Sequence, residues 1–233
     1  MIRTVLKERI ASNSMLPFVI KDEVVNQKMQ IQPLFPTSVG FLQMDKAVSK
    51  KILAFMKSTG MQIELNTSNN ISIDRFILDN DELSDIKKVL TDSVNEYFKE
   101  IVNPGKDTKL YITNSWINMN KNGESHHTHH HPNSIVSAVF YIDTCEEDTL
   151  SFMNPYTTLF GNLRFSPNRT KWTTLEWNIP VKKNLLAMFP STLPHLVIPR
   201  PNTCTGTRIS LSFNTWFKGT IGDGEDSPTQ LHL

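Results

Sequence analysis

Five of the seven histidines fall between His126 and His131, in the stretch SWINMNKNGESHHTHHHPNSIVS (Ser115–Ser137), and only His195 and His232 lie outside it. Neutral imidazole is the commonest protein ligand for transition ions, so a cluster of this density points first to metal. Two histidines separated by one residue share a face only in extended backbone, where alternate side chains point the same way. The pairs His127/His129 and His129/His131 both meet that condition. A third ligand has to come from elsewhere, and His195 is the histidine available in the strand-rich half of the chain. It sits in MFPSTLPHLVIP, where Pro194 and Pro199 restrict the backbone and apolar neighbours predict burial. Three protein ligands would leave coordination positions open, as a catalytic metal requires and a structural one does not. Taken singly, the histidine run also reads as a solvated loop, and His195 as a satisfied core histidine.

Thirteen residues after His195 comes Arg208, at the head of the strand-like segment RISLSFN. Its neighbours are apolar, and an arginine near a core needs a partner for its planar fork, for which a carboxylate is the best match. Spacing alone allows that carboxylate to be an internal Asp or Glu or a bound dicarboxylate.

The elements that must position these residues divide into two halves. Asp45 can cap a helix whose apolar positions Val48, Ile52, Phe55 and Met56 run to a stop at Gly60. A second helix is predicted from near Asp81, with the stripe Ile86, Val89, Leu90, Val94, Tyr97 and Ile101, ended by Asn103-Pro104-Gly105. Both stripes read as core-facing surface. Asn66 to Ser72 reads as a polar loop, and Ile31–Leu42, interrupted by Pro33 and Pro36, as an edge strand and turn. Residues 1–32 are mixed, with apolar pairs Phe18–Val19 and Val24–Val25. After Lys109 the helical period vanishes. Strand-like segments follow at Leu110–Met119, Ile135–Asp143, Thr149–Met153, Leu185–Phe189 and Arg208–Phe217, separated by turn signals such as Asn122-Gly123 and Asn154-Pro155. Helices first and strands afterwards predict an α+β chain in one domain, with an N-terminal arm and supporting helices over 1–108, a β core over 109–218 and a flexible tail over 219–233. The long stretch Asn154–Pro180, with Tyr156, Phe160, Phe165, Trp172 and Trp177, reads either as a lid or as an insertion packed on the sheet.

Composition narrows the setting. Across 233 residues, 39% are hydrophobic, 20% are charged and the net charge is +1, which is ordinary for a globular protein and gives no basic field for nucleic acid. Two cysteines, Cys145 and Cys204, are too few for a disulfide framework or a thiolate cluster, so a reducing interior is expected. No apolar run is long enough for a signal peptide or a membrane span, and a cytoplasmic protein is the expectation.

At this point the sequence resembles the iron(II)- and 2-oxoglutarate-dependent oxygenases, in particular the small oxygenases of phages and bacteria with an HxHPxS…SGVYY core. The residues that carry the resemblance are His129-His130-His131-Pro132-Asn133-Ser134 and Ser137-Ala138-Val139-Phe140-Tyr141. With them come Met188-Phe189-Pro190-Ser191 with His195, the segment Arg208–Asn214, and the earlier Leu34–Phe41 (LFPTSVGF). The resemblance runs from about residue 31 to 217. It implies a double-stranded β-helix (a jelly roll, cupin-like) buttressed by the N-terminal helices. It also implies Fe(II) held by His129, His131 and His195, with His131 standing where the family usually has a carboxylate. A ligand set shifted to His127/His129 stays open. Arg208 is implied to pair with the distal carboxylate of 2-oxoglutarate, assisted by Ser210 and Tyr141, with Asn118 and Asn120 on the strand leading to the histidines also near the co-substrate. Asn133 reads as a turn residue.

The implied activity is that of a dioxygenase taking 2-oxoglutarate and O2, hydroxylating a substrate and releasing succinate and CO2. The prime substrate is open between a peptide and a small molecule; nucleic acid and membrane are not expected partners. Two other readings fit the same residues: a three-histidine cupin-like dioxygenase that does not use 2-oxoglutarate, and a non-catalytic metal-binding jelly roll. Arg208 separates them, since only the first reading gives it a co-substrate to hold.

Overall fold

The computed structural model describes residues 31, 33–156, 161, 168–222 and 228–233. The readings made above for residues 1–30, and for Phe160 and Phe165, lie outside these. The chain separates into two compact units, Met1–Thr37 and Ser38–Leu233, and every element described here belongs to the second.

Strand β1 (Gly40–Gln43) leads into helix α1 (Lys46–Ser58). Asp45 caps α1 as expected, its carboxylate accepting from the Ala47 amide at 2.7 Å. The segment expected to be a loop is instead a hairpin, β2 (Ile63–Asn66) and β3 (Asn69–Ser72), turned by Thr67-Ser68. Its asparagines hid the pattern, but Asn69 and Ser72 are fully buried and work as strand residues. Two short 3-10 turns, Ile77–Asp79 and Asp81–Leu83, precede α2 (Ser84–Val102), which ends at Asn103 with a left-handed φ of 49°. Of the expected stripe, Ile86, Leu90, Val94 and Tyr97 are buried. Val89 and Ile101 flank it and are 43% and 49% exposed, while Phe98 takes an inward position.

The β half comprises β4 (Lys109–Asn120), β5 (His126–His129), β6 (Val136–Asp143), β7 (Thr149–Met153), β8 (Glu176–Pro180), β9 (Leu185–Pro190), β10 (His195–Val197), β11 (Arg208–Lys218), β12 (Thr220–Ile221) and β13 (Leu231–His232). A seven-stranded antiparallel sheet has the order β1-β9-β6-β11-β4-β3-β2, and a four-stranded one the order β5-β10-β7-β8. This is the expected jelly roll. The stretch Asn154–Pro180 contributes β8, which pairs with β7 and forms an edge of the smaller sheet. The tail, expected to be flexible from Gly219, pairs β12 with β13, and Gly219 and Leu233 exchange backbone hydrogen bonds. Its polar composition concealed a ladder that needs only backbone groups.

Alternation along β11 sorts the two faces of the large sheet. Leu211 and Phe213 point to the side where Ile117 and Phe140 meet Ile52, Phe55, Leu90 and Val94 of the helices, and this is the main core. Arg208, Ser210, Ser212 and Asn214 occupy the other face. There a smaller apolar cluster, including Val139, Tyr141, Leu150, Phe152 and Phe189, joins the large sheet to the small one. The helices thus stiffen the back of the sheet whose front carries polar groups.

Cys145 and Cys204, expected to stay unpaired, are instead joined by a disulfide with Cα atoms 5.7 Å apart. They lie 59 residues apart in sequence and meet only because the turn after β6 packs on the loop before β11. Among the described residues, no helix is long and apolar enough to cross a membrane.

Candidate metal and co-substrate centre

Strand pairing brings the distant histidine to the cluster. His195 on β10 is directly opposite His129 on β5. His131 lies just beyond β5, where its amide donates to the Ser191 carbonyl at 2.9 Å. The ligand nitrogens of His129, His131 and His195 lie within 4.8 Å of one another. His127 and His129 form a different group with His126, one that leaves out His195.

Each of the three rings is held at Nδ1. His129 Nδ1 is 2.8 Å from the His127 carbonyl and His195 Nδ1 is 2.9 Å from the Leu193 carbonyl. A carbonyl only accepts, so each Nδ1 carries the proton and each Nε2 keeps its lone pair. His131 Nδ1 faces Asn214 Oδ1 at 2.5 Å, and Ser137 Oγ lies 3.0 Å from the same nitrogen and 2.8 Å from Asn214 Oδ1. With the Asn214 oxygen accepting, His131 takes the same tautomer. Burial keeps all three below the ordinary imidazole value, His195 most strongly, at about 3. The result is three neutral imidazoles fixed by their outer nitrogens, which is how a metal-binding histidine is normally oriented.

Next to them is a cavity of about 30 Å³ lined by the three histidines together with Asn118, Tyr141, Arg208 and Ser210. Register explains the grouping: Ser210 of β11 stands between Asn118 of β4 and Tyr141 of β6, and Arg208 pairs with Asn120. All the expected co-substrate residues therefore share one wall. Arg208 is 4% exposed, its Nη1 donates to the Thr149 carbonyl at 3.2 Å, and its Nε has no partner. Among the described residues no carboxylate pairs with it, since the buried Asp148 goes to Arg200. Asn118 Oδ1 and both polar atoms of the Asn120 side chain are also buried without partners. Burial drives the Tyr141 hydroxyl up to about 12, so it stays a proton donor at neutral pH.

Sequence reasoning missed several residues that support or border the site. Asn214 and Ser137 lie inside motifs quoted above, yet their hold on His131 depends on β6 and β11 pairing at Asn214↔Ser137. Trp116, whose ring centroid is 5.7 Å from that of His131, and His126 border both this cavity and an open groove of about 340 Å³ on the far side of the histidines. Glu124, the nearby acid, accepts from the Lys121 amide and Asn70 Nδ2, so it serves the turn before β5. Asn133 has φ 59°, in keeping with a turn position.

The donor set fits a divalent ion, and the unpartnered Arg208 Nε fits an anionic oxygen ligand. Residues 114–214, which hold every one of these groups, match the family described as "Putative 2OG-Fe(II) oxygenase". No curated protein matches the chain by sequence. Among solved structures, a Pseudomonas putida prolyl-4-hydroxylase is similar with a TM-score of 0.52 at 13% identity, covering 78% of this chain and 92% of its own. A 2OG-Fe(II) family oxidoreductase from Burkholderia pseudomallei has a TM-score of 0.55 at 12% identity, covering 76% and 83%. HygX from Streptomyces hygroscopicus, solved with nickel, 2-oxoglutarate and hygromycin B, has a TM-score of 0.54 at 10% identity, covering 77% and 82%. These likenesses establish the shared fold, and the family match covers the segment that carries the histidines and Arg208. Residues 114–214 thus match the 2OG-Fe(II) oxygenase family, and the chain shares the fold of solved enzymes that carry that chemistry.

Proposed function

We propose that the chain hydroxylates an organic substrate with Fe(II), 2-oxoglutarate and O2, releasing succinate and CO2, and that His129, His131 and His195 hold the iron. One observation carries the reading: three histidines with free Nε2 lone pairs border the same buried cavity as an arginine whose Nε has no partner. When bound, the iron and 2-oxoglutarate supply oxygen activation, one O2 atom ending in the hydroxylated product and the other in succinate.

The protein's own part follows from its side chains. Arg208 would take the distal carboxylate of the co-substrate with its guanidinium, with the Tyr141 hydroxyl and Ser210 beside it. Removing a charged group from water inside this wall strengthens each of those contacts. Asn118 would donate to the same molecule from Nδ2 once its amide is turned, its oxygen then accepting from Ser212 Oγ. Val139, Leu150 and Val197 complete the lining and keep water out. The open groove beyond Trp116, bordered by Arg75, Asn114 and Asn214, is where the prime substrate would approach the histidines.

Anaerobic titration of the metal-free protein with Fe(II) and then 2-oxoglutarate tests this reading through the visible charge-transfer band of a chelated 2-oxo acid. The expected outcome is a saturable band that Arg208→Ala weakens and His195→Ala abolishes, with succinate and CO2 formed once O2 is admitted. Iron binding with no band would replace this function with that of a three-histidine dioxygenase independent of 2-oxoglutarate.

A further inference from the structure

We propose a second metal site toward the exposed edge of β5, an outer site formed by the exposed His127 with His126 and His129, which binds an imidazole-preferring divalent ion and competes with the inner site for His129. The proposal rests on the inner ligand set inferred above. Residues 126 and 129 differ by an odd number, so in a regular strand their side chains would face opposite ways. The β5–β10 ladder contains a register shift: His129 faces His195, but Val197 faces His126, so three steps on β5 match two on β10. The extra residue is a β-bulge, and a bulge re-aims the side chains around it. It brings the His126 ring to 4.3 Å from that of His129, nearly parallel at 26°. His127 reaches the same place from the exposed edge, with ring centroids 5.1 Å from His126 and 5.4 Å from His129. The ligand nitrogens of the three lie within 4.8 Å of one another.

The two groups cannot be filled together. A neutral imidazole offers one lone pair. The Nδ1 of His129 is bonded to the His127 carbonyl, which leaves Nε2 for either ion. An outer ion that took Nδ1 instead would move the proton to Nε2 and disable it toward the inner site just as fully. The rings of His126 and His127 make no hydrogen bond among the described residues, so they can turn toward an ion, whereas all three inner rings are held. The outer donor set is entirely nitrogen, without carboxylate or thiolate, which favours Zn²⁺, Ni²⁺, Co²⁺ or Cu²⁺ over Mg²⁺ or Ca²⁺. Such an ion in excess withdraws His129 and switches the inner site off without taking His131 or His195.

The test uses the full-length metal-free protein and Zn²⁺ alone, titrated against a chromophoric chelator, with Co²⁺ spectra as a second readout. His195→Gln breaks the inner group and leaves the outer one. His127→Gln breaks the outer group and keeps the backbone carbonyl that holds His129. The wild type is expected to bind one Zn²⁺, His195→Gln still to bind one, and the double variant to lose affinity by about tenfold or more relative to His195→Gln. Equal zinc affinity in the single and double variants overturns the proposal, and so does binding of two ions at once by the wild type. If His195→Gln does not fold, the iron- and 2-oxoglutarate-loaded wild type and His127→Gln are challenged with Zn²⁺. The variant should then need about tenfold more to lose its chelate band, and loss at the same concentration overturns the site. Absence of any chelate band in the wild type would count against the oxygenase reading alone, because the zinc titrations need no co-substrate.

Discussion

Arg200 and Arg208 lie eight positions apart, are 3% and 4% exposed, and live in opposite circumstances. Arg200 is satisfied from within the chain. Its Nε donates to Asp148 at 3.0 Å, Nη1 to Asn122 Oδ1 and to the Gly206 carbonyl at 2.6 Å, and Nη2 to the Thr205 carbonyl. The Cys145–Cys204 disulfide ties the same corner, where Asp148 also accepts from the Cys145 amide. Arg208 has one protein acceptor, an aromatic ring 5.8 Å away in Tyr141, and an Nε with nothing to bond. A buried cation without a partner is costly, and a chain keeps one where a ligand completes it. One arginine closes the loop that delivers β11; the other, at the start of that strand, faces the cavity.

This contrast can be broken by experiment, and the largest effect is expected at the satisfied arginine. Replacing Arg200 or Asp148 by Ala strands the remaining buried charge and should lower stability by about 3–5 kcal/mol, read by denaturant unfolding. Arg208→Ala should leave stability much less changed and weaken 2-oxoglutarate by about a hundredfold, read by the chelate band. If the two variants exchanged these outcomes, Arg208 would be structural and the co-substrate assignment would fall. Asn214→Ala removes the acceptor that fixes His131 and should lower metal affinity about 10–100-fold without touching Arg208. A change of that size in co-substrate affinity at fixed metal occupancy would show that the two halves of the site are not separate.

The smallest effect is the pH dependence of the metal-free fold. Burial holds His126 and His195 at about 3, against an ordinary 6.5. Between those values the unfolded chain binds more protons than the folded one, so stability is full above about 6.5 and falls as the pH is lowered toward 3. His195→Gln should flatten that fall in a series of thermal melts.

Much of this was legible from local pattern. The His-x-His spacing, Arg208 ahead of an apolar strand, the Asp45 cap and the stop at Asn103 are properties of a few neighbouring residues, and periodicity carries them directly. The hairpin at β2 and β3 was not legible, because Asn69 and Ser72 are polar by type and inward by position. Nor was the β5 bulge, which breaks the alternation on which the histidine reading relied.

By itself the sequence determined the two helices and the longer strands, the chemistry of the donor groups and the order in which they enter the β core. Only the tertiary structure decided which histidines converge, since His129 and His195 meet through a ladder between strands far apart in the chain. It alone decided that Asp148 goes to Arg200 and leaves Arg208 free for a ligand, and that the two cysteines meet. The reason is physical: side-chain type and spacing are local, whereas register is set by how whole strands bury their apolar faces. A shift of one residue in that register would turn Arg208, Ser210 and Ser212 from the cavity into the core.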